Sequence, residues 1–295
     1  MFGLYFGKYL VEKNKISWSQ FEDVMRQQQQ TRVKLGLIAV SEKLLTTKQA
    51  DEINEIQKTM DKRFGDIAIE KGFLLTEEVT FLLNMQGNPY LQFVQVCTET
   101  NLLSLSEIET YLEEFKSDLN LSTTDLDALK SGDIDRIIPV FVDTKEKFTG
   151  ELISLVLRNV VRFINNNVTI KKAYQVQEYS FGTLASQWMV GDHEIFVAFA
   201  GKDKELLKLA NPFAKEEFTI LDEDSFDAVC EFINCTNGLY ATKLSDEDTY
   251  VDMTPPLSYT NMQITADKEF CVVPMILDGE QVDLIVAVDN QLGIN

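Results

Sequence analysis

Apolar positions in the first third of the chain recur in blocks. Three segments align without gaps: YFGKYLVEKNKISWSQFEDVMRQQ from Tyr5, KLGLIAVSEKLLTTKQADEINEIQ from Lys34 and RFGDIAIEKGFLLTEEVTFLLNMQ from Arg63. Each is 24 residues long, successive starts lie 29 residues apart, and glutamine closes every copy, at Gln28, Gln57 and Gln86. In each, a helix-spaced apolar stretch ends near Asn14, Lys43 or Gly72, after which Ser17, Thr46 or Thr76 is placed to cap a second helix. Ser17 with Gln20 and Thr46 with Gln49 have capping-box spacing. Each copy is therefore predicted as a short helix, a turn and a longer helix. Such a unit cannot bury its apolar face alone, so the copies must pack on one another. A degenerate fourth copy, LQFVQVCTETNLLSLSEIETYLEEF, follows, with Gln92 where the glycine should stand.

The periodicity changes in the second half. FTGELISLVLRNVVRFINNN, from Phe148, predicts a long amphipathic helix. The runs TIKKAYQVQEY, LASQWMV and HEIFVAFA have the aromatic and β-branched content of strands. A helix around Lys204 to Ala210 and a second long one from about Asp224 to Leu244 follow, then four more strand candidates: TYVDMT, SYTNMQIT, EFCVVPMIL and QVDLIVAVD. Long helices bracketing antiparallel hairpins give an α+β layer architecture. At 295 residues the chain has room for two domains. The division read here is a helical repeat domain over 1–115, an acidic linker over 116–146 and an α+β domain over 147–295. The aspartates at 118, 125, 127, 133 and 135 lack the glycine and closing glutamate of a calcium loop, which favours the linker reading.

Charge sharpens this division. Acidic residues number 47 and basic ones 27, for a net charge of −20. Residues 1–86 are balanced, with 12 of each sign, so the whole excess lies beyond them. A phosphate backbone binds clustered Lys and Arg, so nucleic acid is excluded as partner. The apolar runs are far below the ~20 residues that span a bilayer, and the start shows no signal-peptide pattern. The chain reads as soluble and cytoplasmic, with no membrane insertion. Cys97, Cys230, Cys235 and Cys271 form no CxxC pair and read as small core residues. With one histidine, His193, at a turn leading into a strand, neither a metal site nor a His-based triad is expected.

Chemistry concentrates on the second long helix. Phe226, Val229, Cys230, Ile233, Tyr240 and Leu244 fall on one face, and Asp227, Glu231, Asn234 and Gly238 form the opposite, exposed stripe. Mid-helix asparagine costs up to ~0.7 kcal/mol and glycine ~1 kcal/mol relative to alanine. Something other than helix stability selects Asn234, Asn237 and Gly238. The surrounding string DAVCEFINCTNGLYATKLSDEDTYVDMTPPLSYT resembles the CheX-like (CheC/CheX) chemotaxis phosphatases, in Glu231-x-x-Asn234, Gly238, Leu244 and Thr254-Pro255-Pro256. The resemblance extends loosely over residues 148–291.

It implies a phosphatase acting on the aspartyl phosphate of a CheY-like response-regulator receiver domain. Asn234 would orient the attacking water, since a carboxamide accepts from and donates to one water at once. Glu231 would dock to the receiver's lysine. Gly238 would let the partner approach and Asp227 would add charge; these two roles are inferred from position. Mg²⁺ is expected in the receiver partner, with no cofactor in this chain. The first long helix offers only Glu151-x-x-Ser154, so one site is expected. Single-site relatives further imply a homodimer through a sheet edge.

The first half, over about residues 5–86, resembles the N-terminal (MshEN-like) domain of type II secretion and type IV pilus assembly ATPases, whose 24-residue motifs are also spaced by five residues. That resemblance implies cyclic di-GMP as a ligand of tandem motifs, carried here by Lys34, Gly36 and Gln57, then Arg63, Gly65 and Gln86. Tyr5 and Lys34 replace the motif's arginine, and lysine lacks its planar, stacking guanidinium. A packing reading stands beside it: the glycines allow close helix contact and the glutamines satisfy backbone groups. The whole chain is thus read as a receiver phosphatase. The alternative is a non-enzymatic adaptor that binds a receiver and, through the repeats, cyclic di-GMP or a secretion or pilus component.

Overall fold

The computed structural model describes residues 1–60, 62–144, 146–165 and 167–295. The chain divides into two compact units, Met1–Gly132 and Asp133–Asn295. No helix among the described residues is long and apolar enough to cross a membrane.

The first unit is helical: α1 (Phe2–Glu12), α2 (Trp18–Gln28), α3 (Leu35–Ser41), α4 (Thr47–Gln57), α5 (Phe64–Glu70), α6 (Thr76–Asn84), α7 (Pro89–Glu99), α8 (Leu105–Asp118) and α9 (Thr123–Ser131). The turns after α1, α3, α5 and α7 each contain a left-handed residue, Asn14, Lys43, Gly72 and Asn101, with φ between +52° and +69°. Ser17, Thr46 and Ser104 then cap the longer helices through full capping boxes. Thr76, expected as a cap, instead lies inside α6. Leu75 holds the cap position, and its backbone N–H donates to Glu78 Oε2 at 2.7 Å. Caps at 17, 46, 75 and 104 correct the register of the fourth segment, putting Val94 rather than Gln92 at the glycine position.

Packing in this unit is nested. Val33, Ile38, Ile53, Phe64, Ile67 and Leu82 form one core shared by the second and third segments. The first segment closes against the fourth: Phe2 and Phe6 meet the Phe93 ring edge-on at 6.2 and 5.8 Å, and Tyr9 meets Phe115 at 5.2 Å.

Residues 116–146, expected as a linker, are mostly helical. They hold the end of α8, all of α9 and α10 (Ile134–Phe141), and the division between the units falls after Gly132. The Ser and Asp that suggested a linker are helix caps: Ser122 caps α9 and Asp133 caps α10.

The second unit continues with α11 (Lys147–Asn159), a π-helical turn (Val160–Ile164), β1 (Val168–Ile170), β2 (Tyr174–Gly191), β3 (Glu194–Gly201), α12 (Asp203–Ala214), α13 (Glu223–Asp246), β4 (Val251–Met253), β5 (Leu257–Leu277), β6 (Glu280–Val288) and β7 (Leu292–Ile294). Strand pairs expected as separate are fused. β2 runs through Gly182, where a Cβ would lie 3.4 Å from the Gly201 carbonyl, and β5 runs through Ala266, paired with Leu292 of β7. The antiparallel sheet has the order β1-β5-β6-β3-β2-β4, and β5 also pairs with β2, so the path β2-β3-β6-β5 closes on itself. Phe181, Phe196, Phe270 and Ile285 fill one face of this sheet. On the other face α13 lies against it, Phe232 meeting Phe199 of β3 at 5.7 Å.

Candidate functional site

Asp222 starts α13 by accepting from Ser225 N at 3.1 Å, while its own N–H donates to Ser225 Oγ at 2.8 Å. The Ser225 N–H and the Ser225 hydroxyl, both donating to Asp222 Oδ1, hold the Asp222 carboxyl below its usual range. Glu223 and Asp224 in the first turn and Lys243 in the last suit the helix dipole. The buried face is Ser225, Val229, Phe232, Ile233, Thr236, Asn237, Tyr240 and Leu244. Phe226 and Cys230, expected in that face, are only half-buried. Thr236 Oγ1 accepts from Asn159 Nδ2 at 3.1 Å, tying α13 to α11.

Opposite that face, Asp227 and Glu231 are exposed, and Asn234 and Gly238 are half-buried rather than fully exposed. Glu231 and Asn234 stand one turn apart, with Nδ2 3.4 Å from Oε2. Among the described residues no Lys, Arg or His pairs with Glu231; its other neighbour is the Cys235 thiol, whose Sγ lies 3.5 Å from Oε1. A Cβ on Gly238 would meet only the exposed Met253 side chain, at 3.6 Å, so the backbone there stands open. The aligned position on α11 is different. Glu151 is ion-paired with Lys243 at 2.6 Å and accepts a long hydrogen bond from the Tyr240 hydroxyl at 3.5 Å.

Beneath Asn234 lies a residue that the sequence reading passed over. Gln187 of β2, 2% exposed, donates from Nε2 to Asn234 Oδ1 at 2.9 Å and to Thr254 O at 2.8 Å, and accepts from Asn237 Nδ2 at 2.9 Å. Its sequence signal is a polar side chain on the helix-facing side of β2, between the buried Ala185 and Met189. Thr254 also pairs with Trp188, its N–H donating to the Trp188 carbonyl at 2.9 Å. Pro255 and Pro256, lacking N–H groups, end the β4 pairing there. Asn237 is thus a buried anchor of this network and not part of the open stripe.

Not all four cysteines are core residues. Cys97 and Cys271 are buried, Cys230 is half-buried and Cys235 is exposed. Burial pushes the Cys97 thiol up to about 12 and the Cys271 thiol to about 11. His193 Nδ1 lies 2.8 Å from the Asp289 carboxylate, and the His193 ring lies 4.5 Å from Phe148.

In the first unit, a cavity of about 700 Å³ brings Lys34, Gly36, Gln57 and Gln86 together, and Arg63 and Gly65 do not line it. The Lys34 ammonium is paired with Glu99 at 2.5 Å. Gln57 donates to the Lys62 carbonyl at 3.1 Å and Gln86 to the Val33 carbonyl at 2.7 Å. A Cβ on Gly65 would lie 2.6 Å from Val79, and one on Gly36 3.1 Å from the Phe64 ring. These glutamine bonds and glycine contacts are those of the packing reading.

A helix presenting Glu-x-x-Asn over an antiparallel sheet makes the second unit an α+β domain. Residues 184–276 match the family model described as "Chemotaxis phosphatase CheX", so this region resembles that family in sequence. No curated protein matches the chain. Similar solved structures include a CheC-like superfamily protein from Shewanella sp. PV-4, 18% identical over 49% of this chain and 99% of that one, with a TM-score of 0.44. Another is the chemotaxis protein CheX from Vibrio vulnificus, 13% identical over 48% and 99%, with a TM-score of 0.42. A third is the CheX of a CheX-CheY-BeF3-Mg²⁺ complex from Borrelia burgdorferi, 18% identical over 48% and 97%, with a TM-score of 0.39.

Proposed function

We propose that this protein hydrolyses the aspartyl phosphate of a response-regulator receiver domain. The observation that carries the reading is the pairing on α13 of an exposed carboxylate that meets no cation among the described residues, Glu231, and a carboxamide held from below, Asn234. The match of residues 184–276 to a chemotaxis phosphatase family supports it. The receiver brings its own Mg²⁺ and lysine to neutralise the phosphoryl oxygens, so a positioned nucleophile is what it lacks. Glu231 docks on the receiver's lysine and Asn234 enters the phosphorylated pocket, holding a water in line with the phosphorus. Water oxygen bonds to phosphorus as the bond to the aspartyl oxygen breaks. The products are inorganic phosphate, the free carboxylate and a proton released to solvent. Positioning carries the rate, as with the water-orienting glutamine of GTPases.

The test follows phosphate loss from a purified receiver phosphorylated with acetyl phosphate, with wild type and with Asn234→Ala. Faster loss with wild type, abolished in the variant, is expected. Equal rates would remove the enzyme reading and leave a receiver-binding adaptor.

A second reading concerns the first unit: that it binds cyclic di-GMP. The cavity uniting Lys34, Gly36, Gln57 and Gln86 supports it, and the Lys34–Glu99 pair weighs against it, since a ligand phosphate would have to displace Glu99. Calorimetric titration of cyclic di-GMP into wild type and Lys34→Ala tests it; no heat with wild type leaves the packing role alone.

A further inference from the structure

We propose that Gln187 is a positioning residue that fixes which way round the Asn234 carboxamide faces; this rests on the phosphatase reading above. Thr254 O can only accept, so the Gln187 atom 2.8 Å from it is the amino group. That same amino group is 2.9 Å from Asn234, where it can meet only an oxygen. On its other side, Gln187 Oε1 accepts from Asn237, which locks the Gln187 amide in this sense. Asn234 therefore turns Oδ1 inward and Nδ2 outward, toward the Glu231 carboxylate at 3.4 Å.

The count of hydrogen-bonding positions gives the consequence. A carboxamide has two lone pairs on oxygen and two hydrogens on nitrogen. Gln187 takes one lone pair and Glu231 one hydrogen, leaving one acceptor and one donor. That is the complement needed to hold a water by a proton and by its oxygen, or a water and a phosphoryl oxygen. An amide free to rotate would present the wrong end for part of the time. A buried glutamine among apolar neighbours is costly to keep unless its bonds are made, and among the described residues its side-chain partners are the catalytic asparagine and Asn237.

Gln187→Met keeps length without hydrogen bonds, and Gln187→Glu keeps the acceptor but loses the donor until it is protonated. In the phosphorylated-receiver assay, both are expected to lower kcat by about 10- to 100-fold. KM should stay within about 2-fold, because Glu231 still docks. Burial raises the pKa of the introduced carboxyl, so Gln187→Glu should regain activity as pH falls, relative to wild type at the same pH, when the acid donates to Oδ1 again. Wild-type kcat in Gln187→Met, or a loss confined to KM, overturns the proposal. Side-chain amide resonances of Asn234 separate this from failure of the phosphatase reading. Unchanged resonances in Gln187→Met overturn the positioning role whatever the assay returns. Shifted resonances with an inactive wild type uphold the orientation and overturn the phosphatase.

Discussion

Glu151 and Lys243 are joined at 2.6 Å between α11 and α13, whereas Glu231, nearer the start of α13, meets no cation among the described residues. Two glutamates of similar local pattern are thus put to different uses. The first is spent inside the protein, helping to pin its two long helices together. The second is left charged at the surface, where a charge without a partner is cheap only because water solvates it, and where a cation of another protein can replace that water.

Removing the Glu231 charge should therefore act on encounter. Glu231→Gln is expected to raise KM for the phosphorylated receiver by about 10-fold, the cost of one charge-assisted contact of roughly 1.5 kcal/mol. The kcat should change less. Raising salt should weaken wild-type binding more than binding of the variant, because the lost pair is the screened one. Steady-state kinetics at two ionic strengths check both points.

The same carboxylate also bears on Cys235. Partial burial, then the hydrogen bond to Glu231 and its charge, push this thiol above its ordinary value. At pH 8 less thiolate is present than in a free cysteine, so alkylation by iodoacetamide should be slow. Glu231→Gln removes the charge that raises the pKa, and the rate at Cys235 should increase by roughly 2- to 10-fold. Cys235 should still react before the buried Cys97 and Cys271. Mass-spectrometric time courses for the four cysteines provide the measurement.

Two glycines predict opposite outcomes. A Cβ at Gly65 would stand 2.6 Å from Val79 Cγ1, forcing α5 and α6 apart. Gly65→Ala should lower stability by about 1–3 kcal/mol through overpacking. At Gly238 the nearest atom is Met253 Cε at 3.6 Å, an ordinary contact. Gly238→Ala should gain up to ~1 kcal/mol from helix propensity while reducing receiver hydrolysis by holding the partner off. Thermal melts and the phosphatase assay on the two variants test the pair.

The helix α10 should matter to the second unit. Ile137, Ile138 and Val142 at its end are at most 5% exposed, and the Arg158 guanidinium of α11 donates to Asp135. A fragment of residues 133–295 is expected to melt in one cooperative transition. A fragment of 147–295 exposes the surface those three side chains cover and should be less stable by roughly 5 kcal/mol, at about 1.5–3 kcal/mol per buried apolar side chain. Urea denaturation of both fragments decides it.

How much of this was legible depended on how far apart in sequence the causes lie. The caps Ser17 and Thr46 could be read because a capping box is complete within four residues. Glu231 and Asn234 could be read because a helix turns three-residue spacing into one face. Gln187 could not, because its meaning comes from a helix 47 residues away and a carbonyl 67 residues away. The linker misreading has a local cause: Ser122 and Asp133 suit loops and helix starts equally, and only the buried Leu126, Leu129, Ile137 and Ile138 that follow them decide.

The nested packing of the first unit has a consequence during synthesis. The inner pair of segments has all its core once Leu91 has left the ribosome, whereas Phe2 and Phe6, made first, wait for Phe93. At roughly 5–20 residues per second, the stretch from Phe2 to Phe93 takes about 5–20 s to make. Throughout it the nascent chain carries a sticky aromatic segment that a chaperone, or a neighbouring nascent chain, can seize before the outer bracket shuts.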